Sequence, residues 1–170
     1  TQRNQIELFD RYEMGQLSTS EFRNGLRKLL NHSDISDNPL DSARNAMLLD
    51  IPKVRVEWLK QTGKQKRFFL LSNTNEIHKV AFDVIFHDTF SPSIRQLDEL
   101  FEKAYFSHLM GDRKPNPSIF ETVIAQQSLD ASRTLFIDDS IQHIEGARSV
   151  GLQTFHMGSG LALETIQWAL

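Results

Sequence analysis

The stretch Phe68-Phe69-Leu70-Leu71-Ser72-Asn73-Thr74-Asn75 (residues 68–75) decides the fold class of this 170-residue chain. Four apolar residues are followed directly by four polar residues of the kind found in turns. So short an apolar run, bounded by polar segments, is typical of a strand buried on both faces of a parallel sheet. The same pattern recurs where Leu135-Phe136-Ile137 precedes Asp138-Asp139-Ser140. Two such strands predict an α/β fold.

Further segments continue this alternation of strands and helices. Strands are predicted at 104–106 and 152–155, a helix at 94–101, and two more helices after Asn116-Pro117 and after residue 140. Parallel strands need helical crossovers, so the alternation predicts a parallel sheet covered by helices.

Residues 1–50 show helical patterns only. Apolar residues recur at helical spacing within 5–13 and 22–30, and Ser18 with Glu21 three positions later predicts a capping box. Asn38-Pro39 predicts the start of a third helix, with the asparagine as its cap. A separate helical segment is therefore expected before the α/β region.

The composition excludes several functional classes. The chain has no Cys, which excludes disulfides and thiolate metal sites, and its net charge of −3 argues against binding nucleic acid. No apolar run approaches the roughly 20 residues that cross a bilayer. We expect a soluble cytoplasmic protein, a monomer or homodimer, with neither a nucleic acid nor a membrane as its partner.

Chemistry is expected at the carboxyl ends of the strands, where ligands bind in open α/β sheets. Ser72 and Asn73 follow the first strand, and Asp138 and Asp139 follow a later one. Two adjacent carboxylates favour a hard cation such as Mg²⁺, which needs only one or two of them. Lys114 lies in the polar segment between these strands. Together these groups could hold a phosphoryl group and neutralise its charge.

Each feature also has a simpler interpretation. Ser72 and Asn73 could form a local turn, Lys114 could be a solvated surface charge, and one aspartate could cap the following helix. The six histidines show no metal-ligand spacing. No Gly-x-Ser-x-Gly or Walker sequence is present, which argues against a serine hydrolase and a P-loop enzyme.

Residues 69–75, 111–120 and 135–140 resemble, in order and rough spacing, the second, third and fourth motifs of the haloacid dehalogenase-like (HAD) hydrolase superfamily. The resemblance is greatest to its sugar-phosphate phosphatases. It implies an α/β fold: a parallel Rossmann-like sheet in three α/β/α layers with a small all-α cap. Residues 1–50 would be the helical cap and 51–170 the HAD-like core.

The resemblance also implies a role for each residue. Ser72 would bind the phosphate through its hydroxyl, with help from the backbone N–H of Asn73. Lys114 would be the catalytic cation, stabilising charge on the phosphoryl oxygens and the nucleophile. Asp138 and Asp139 would hold Mg²⁺, with Asp139 favoured as the direct ligand.

One departure from the family is large. Its first motif, an apolar strand that ends in Asp-x-Asp and supplies the nucleophile, does not occur in this sequence. We expect that nucleophile and the central strand in a missing N-terminal segment, and the chain by itself to be inactive. The function expected is a Mg²⁺-dependent phosphatase of small phosphorylated metabolites, acting through a phosphoaspartate. The alternatives are a catalytically silent HAD-like binding scaffold and a haloacid dehalogenase, which needs no Mg²⁺.

Overall fold

The computed structural model describes residues 2–166, with side chains from residue 5 onwards. The chain divides into two compact units, an N-terminal unit that ends at Gly111 and a C-terminal unit that begins at Asp112. The expected boundary between cap and core, at residue 50, falls inside the N-terminal unit and stays a prediction. No helix of the described residues is long and apolar enough to span a bilayer.

The N-terminal unit begins with four helices: α1 Gln2–Glu13, α2 Thr19–Leu30, α3 Asp37–Asn45 and α4 Lys53–Thr62. The predicted capping box is confirmed, since Ser18 and Glu21 each accept the backbone N–H of the other. The predicted start of α3 is wrong, because Ser36 precedes the helix and Asn38-Pro39 lies within its first turn. Proline fits there because first-turn N–H groups have no helical partner.

Strand β1 (Phe69–Ser72) pairs in parallel with β2 (Lys103–Phe106), and Ser72 lies opposite Phe106. Between them run α5 (Glu76–Phe90), which the apolar pattern did not indicate, and a single 3-10 turn, Leu97–Leu100. A short helix, α6 (Ser107–Met110), follows β2. The two strands, and their parallel pairing, are as predicted.

The helix predicted over 94–101 is wrong in kind and extent. Ile94 belongs to a buried cluster with Val56 and Phe86, and Leu97 and Leu100 pack against that cluster. These apolar side chains therefore contact the cluster from a turn, and they do not form the apolar face of an α-helix.

An aromatic contact ties the first helices to the start of α5. Tyr12 stacks on the fully buried Phe22 with ring centroids 4.0 Å apart. The Tyr12 hydroxyl accepts a hydrogen bond from the backbone N–H of Ile77, in the first turn of α5, at 3.3 Å. Helical residues of the predicted cap thus satisfy a backbone donor just beyond the polar loop that follows β1.

The C-terminal unit contains α7 (Pro117–Gln127), β3 (Leu135–Asp138), α8 (Ile141–Ser149) and β4 (Gln153–His156). Helix α7 begins at Pro117, directly after Asn116, as predicted. Strands β3 and β4 pair in parallel, with Asp138 opposite His156. The described residues therefore form two parallel two-stranded sheets, one in each unit, and the predicted α/β class is confirmed.

Acidification should weaken the contact between α3 and α5. His78 is 8% exposed, and its Nε2 donates to the backbone carbonyl of Arg44 at 3.0 Å. Burial, and then the charge of Arg44, lower the pKa of His78 below its usual 6.5. The unfolded chain therefore binds this proton more readily, so the stabilisation present above about pH 6.5 is lost as the pH falls through the lower folded pKa.

We predict that the free energy of unfolding falls less between pH 7.5 and pH 5.5 in His78→Gln than in the wild type, as measured by urea titration. Since glutamine does not titrate, it removes this proton from the linkage. Equal pH dependence in the two proteins would contradict the prediction.

Candidate active site

Lys114 is buried rather than a solvated surface charge. It is 6% exposed, and its Nζ donates to Oδ2 of Asp138, the last residue of β3, at 2.7 Å. The side chain of Asp138 is itself only 9% exposed. A lysine is almost never buried without a partner, so this ion pair explains how both charges leave water.

The second oxygen of Asp138 is held by residues that follow β3. Oδ1 accepts the backbone N–H of Ser140 at 2.9 Å and Nδ1 of His143, in the first turn of α8, at 2.9 Å. Burial by itself raises the pKa of Asp138, but the charge and hydrogen bond of Lys114, the Ser140 N–H and His143 outweigh it, and the pKa is lowered. Asp138 is therefore an ionised, oriented carboxylate.

The loop that carries Lys114 is fixed by Asp112. Its Oδ1 accepts the backbone N–H of Arg113 at 2.8 Å and the side-chain amide of Asn116 at 2.7 Å. Its Oδ2 accepts the Ser118 hydroxyl, in the first turn of α7. Hydrogen bonds from Ser118, Asn116 and Arg113 outweigh the effect of burial, and the pKa of Asp112 is lowered. An ionised Asp112 thus joins the loop to α7.

Asp139 has a different environment from Asp138. It is exposed, and no described residue donates a hydrogen bond to its carboxylate. Its backbone carbonyl accepts from Nε2 of His156, at the end of β4, at 3.0 Å. No group of three His, Asp or Glu side chains in residues 5–166 is placed to hold a metal ion. The carboxylate of Asp139 is thus the one of the pair that is open to a ligand.

Ser72 and Asn73 lie in the N-terminal unit, at the carboxyl end of β1. Both are half-buried, whereas the next two residues, Thr74 and Asn75, are 5% and 0% exposed. The Asn75 side chain caps α5 by accepting the N–H of His78 at 3.1 Å. Ser107, directly after β2, hydrogen-bonds to the Thr74 backbone. The polar loop therefore lies between two strand ends and a helix start.

The structure brings Lys114 and Asp138 into an ion pair, and Asp139 follows Asp138 in the sequence. Ser72 and Asn73 belong to the other unit. The catalytic and binding roles of these five residues stay predictions. Sequence reasoning missed His143 and Ser107. The position of His143, five residues after Asp138 and in the first turn of the next helix, is a signal that could have found it.

Comparisons with known proteins match both units. The family model for haloacid dehalogenase-like hydrolases matches residues 87–157, which include Lys114, Asp138 and His143. The crystal structure of a HAD family enzyme from Bacteroides thetaiotaomicron is 31% identical, with a TM-score of 0.85 over 95% of this chain and 78% of that one. The chain belongs to the haloacid dehalogenase-like hydrolase family.

Other relatives extend this result. A D-ribitol-5-phosphate phosphatase of B. thetaiotaomicron is 27% identical over 157 residues, which are 92% of this chain and 74% of the relative. A structure of the B. thetaiotaomicron HAD enzyme in complex with magnesium and inorganic phosphate is 32% identical, with a TM-score of 0.81 over 92% of this chain and 77% of that one. Magnesium, the cofactor predicted from the sequence, is thus present in a relative.

A substitution in α8 should disturb the Lys114 loop. A Cβ added at Gly146 would lie 2.3 Å from the backbone carbonyl oxygen of Pro115, the residue after Lys114. Because that atom belongs to the backbone, the loop must move. We predict that Gly146→Ala lowers the free energy of unfolding by about 1–3 kcal/mol, as typical for overpacking, measured by chemical denaturation.

Gly158→Ala is the matched control, because a Cβ there meets only a Leu161 side-chain carbon at 4.0 Å. Equal stability of Gly146→Ala and Gly158→Ala would show that the close approach of α8 to Pro115 is not required.

Proposed function

We propose that this chain is part of a Mg²⁺-dependent phosphatase of small phosphorylated metabolites. The observation that carries the proposal is the buried pair of Lys114 and Asp138, 2.7 Å apart at the carboxyl end of β3. A structural lysine gains little from such burial, whereas a phosphoryl-transfer site needs a fixed cation to neutralise developing charge.

Lys114 is the catalytic cation in this proposal. The ammonium group of Lys114 donates to Asp138 Oδ2 at 2.7 Å. The hydrogen bond fixes the position of the charge before substrate arrives, so stabilising the phosphoryl oxygens costs little reorganisation. Asp138 thereby orients Lys114.

The donor set at the end of β3 suits Mg²⁺. Both oxygens of Asp138 already accept hydrogen bonds from the protein, whereas the exposed carboxylate of Asp139 accepts none from the described residues. Asp139 is therefore the direct ligand that we propose, with Asp138 reaching the ion through water. Mg²⁺ binds through one or two carboxylates and retains several waters, and when bound it supplies further neutralisation of phosphate charge.

Ser72 and Asn73 bind the phosphate in this proposal, through the serine hydroxyl and the asparagine N–H. The first turn of α5, next to this loop, is fixed by the Asn75 side chain at His78 and by the Tyr12 hydroxyl at Ile77, which supports a preorganised anion site. Residues 1–50 serve as the cap that selects the substrate, and 51–170 as the core. Because a D-ribitol-5-phosphate phosphatase is among the relatives of this chain, D-ribitol 5-phosphate and similar sugar phosphates are the first substrates to test.

The attacking group has to come from elsewhere. No Asp-x-Asp occurs in the 170 residues, so in this proposal a carboxylate outside them attacks phosphorus. The ester P–O bond breaks as the carboxylate–phosphorus bond forms, and the second aspartate of the same motif, also outside the 170 residues, gives its proton to the leaving alcohol. That aspartate then takes a proton from water, which attacks the acyl phosphate, releases inorganic phosphate and restores the carboxylate. The same absence favours the second candidate function, a silent scaffold that binds ligands without turnover.

A phosphate-release assay tests the function. We predict that the complete protein releases phosphate from p-nitrophenyl phosphate and from a panel of sugar phosphates, and that EDTA abolishes release while added Mg²⁺ restores it. Release that is insensitive to EDTA would refute the metal role. Phosphate binding without release on any substrate would favour the silent scaffold, and release of halide from a haloacid would favour the dehalogenase.

Removal of the buried cation tests its role directly. We predict that Lys114→Ala lowers kcat/KM about 100- to 1,000-fold, a loss typical of removing one charge-stabilising donor. The matched control is Lys66→Ala, because Lys66 is an exposed lysine at the opposite end of β1 from Ser72. Equal rates in both variants would mean that Lys114 only packs.

A further inference from the structure

A single hydroxyl holds both peptide groups of Thr74. Ser107 Oγ accepts the Thr74 backbone N–H at 2.9 Å and donates to the Thr74 carbonyl at 2.9 Å. Ser107 is 0% exposed and Thr74 is 5% exposed, so water cannot replace either bond. Because the N–H and the carbonyl belong to successive peptide units, the two bonds together fix the backbone on both sides of Thr74.

The parallel register explains why Ser107 reaches this position. Ser72 lies opposite Phe106, so the next residue of each chain segment leaves the sheet at the same edge. The backbone of the loop is therefore anchored three times: by the β1–β2 pairing through Ser72, by Ser107 at Thr74, and by the Asn75 cap of α5. Asn73 lies between the first two anchors, directly after Ser72.

We propose that Ser107 is a positioning residue for phosphate binding, since it fixes the Ser72–Asn73 backbone through Thr74. The inference rests on the proposed function, in which Ser72 and Asn73 hold the phosphate. It adds a restriction: the Thr74 N–H is occupied by Ser107 Oγ and donates nothing to the phosphate. Anion binding at this loop is then limited to donors from residues 72 and 73.

The consequence of losing the hydroxyl follows from the burial. In Ser107→Ala, the N–H of Thr74 would be buried without a partner, and its carbonyl would keep only the hydrogen bond with His108. The loop would regain the freedom to rotate the peptide groups beside Asn73, and binding of phosphate would then have to order them again. We expect the dissociation constant for inorganic phosphate to rise about tenfold, which corresponds to about 1.4 kcal/mol of binding free energy.

The test compares the wild type, Ser107→Ala and Ser107→Thr in the complete protein, with Mg²⁺ present and inorganic phosphate as the probe. Calorimetry should give about a tenfold loss of phosphate affinity in Ser107→Ala and recovery in Ser107→Thr, which keeps the hydroxyl. KM for the substrate should rise more than kcat falls. Thr89→Ala is the control, because Thr89 also donates to a backbone carbonyl in this unit, at an exposed site.

Hydrogen exchange provides a readout that does not depend on activity. The Thr74 amide should be protected in the wild type without phosphate and should exchange faster in Ser107→Ala. Phosphate should add protection at Asn73 and none at Thr74. These wild-type measurements apply even if Ser107→Ala does not fold.

The outcomes separate the two proposals. Wild-type phosphate affinity in Ser107→Ala, or a Thr74 amide that becomes protected only when phosphate binds, would overturn the positioning role and leave the proposed function standing. A wild-type protein that neither binds nor releases phosphate would overturn the proposed function, and the positioning role with it.

Discussion

The ion pair between Lys114 and Asp138 is the constraint on which the C-terminal unit depends. With side chains 8% and 9% exposed, both charges have given up most of their hydration. Removing one partner of such a pair typically costs about 3–5 kcal/mol, because the other charge stays buried and uncompensated. The loop that carries Lys114 must therefore stay against the end of β3. Asp112 and Gly146 serve that requirement, the first by hydrogen bonds within the loop and the second by allowing α8 to approach Pro115.

The N-terminal unit organises its own polar loop by a related principle. Residues 72–75 follow the end of β1, and the Ser107 hydroxyl, directly after β2, holds the backbone of Thr74. The first turn of α5 is capped by the Asn75 side chain at His78 and by the Tyr12 hydroxyl at Ile77. Both units thus fix the polar segment after a strand through hydrogen bonds with neighbouring elements, as a site that acts by fixed electrostatics needs.

Local signals were reliable where one physical cause dominated the sequence. The apolar runs at 68–71 and 135–137 predicted the strands β1 and β3, and the capping box at Ser18 formed because its bonds span only three residues. The apolar spacing within 94–101 led to a wrong prediction of an α-helix, because those side chains contact a buried cluster from a turn. Helix α5 was not indicated, because its apolar residues surround the helix and leave Val80 and Val84 exposed.

The four strands, the family resemblance and the five candidate site residues could be predicted from the amino-acid sequence, because these depend on local pattern. Only the tertiary structure decided that Lys114 is buried against Asp138, that His143 completes the carboxylate's hydrogen bonds, and that Ser107 holds Thr74. These contacts join residues 24, 5 and 33 positions apart, and burial sets their strength. Spacing along a chain does not encode burial, since that depends on which elements pack together.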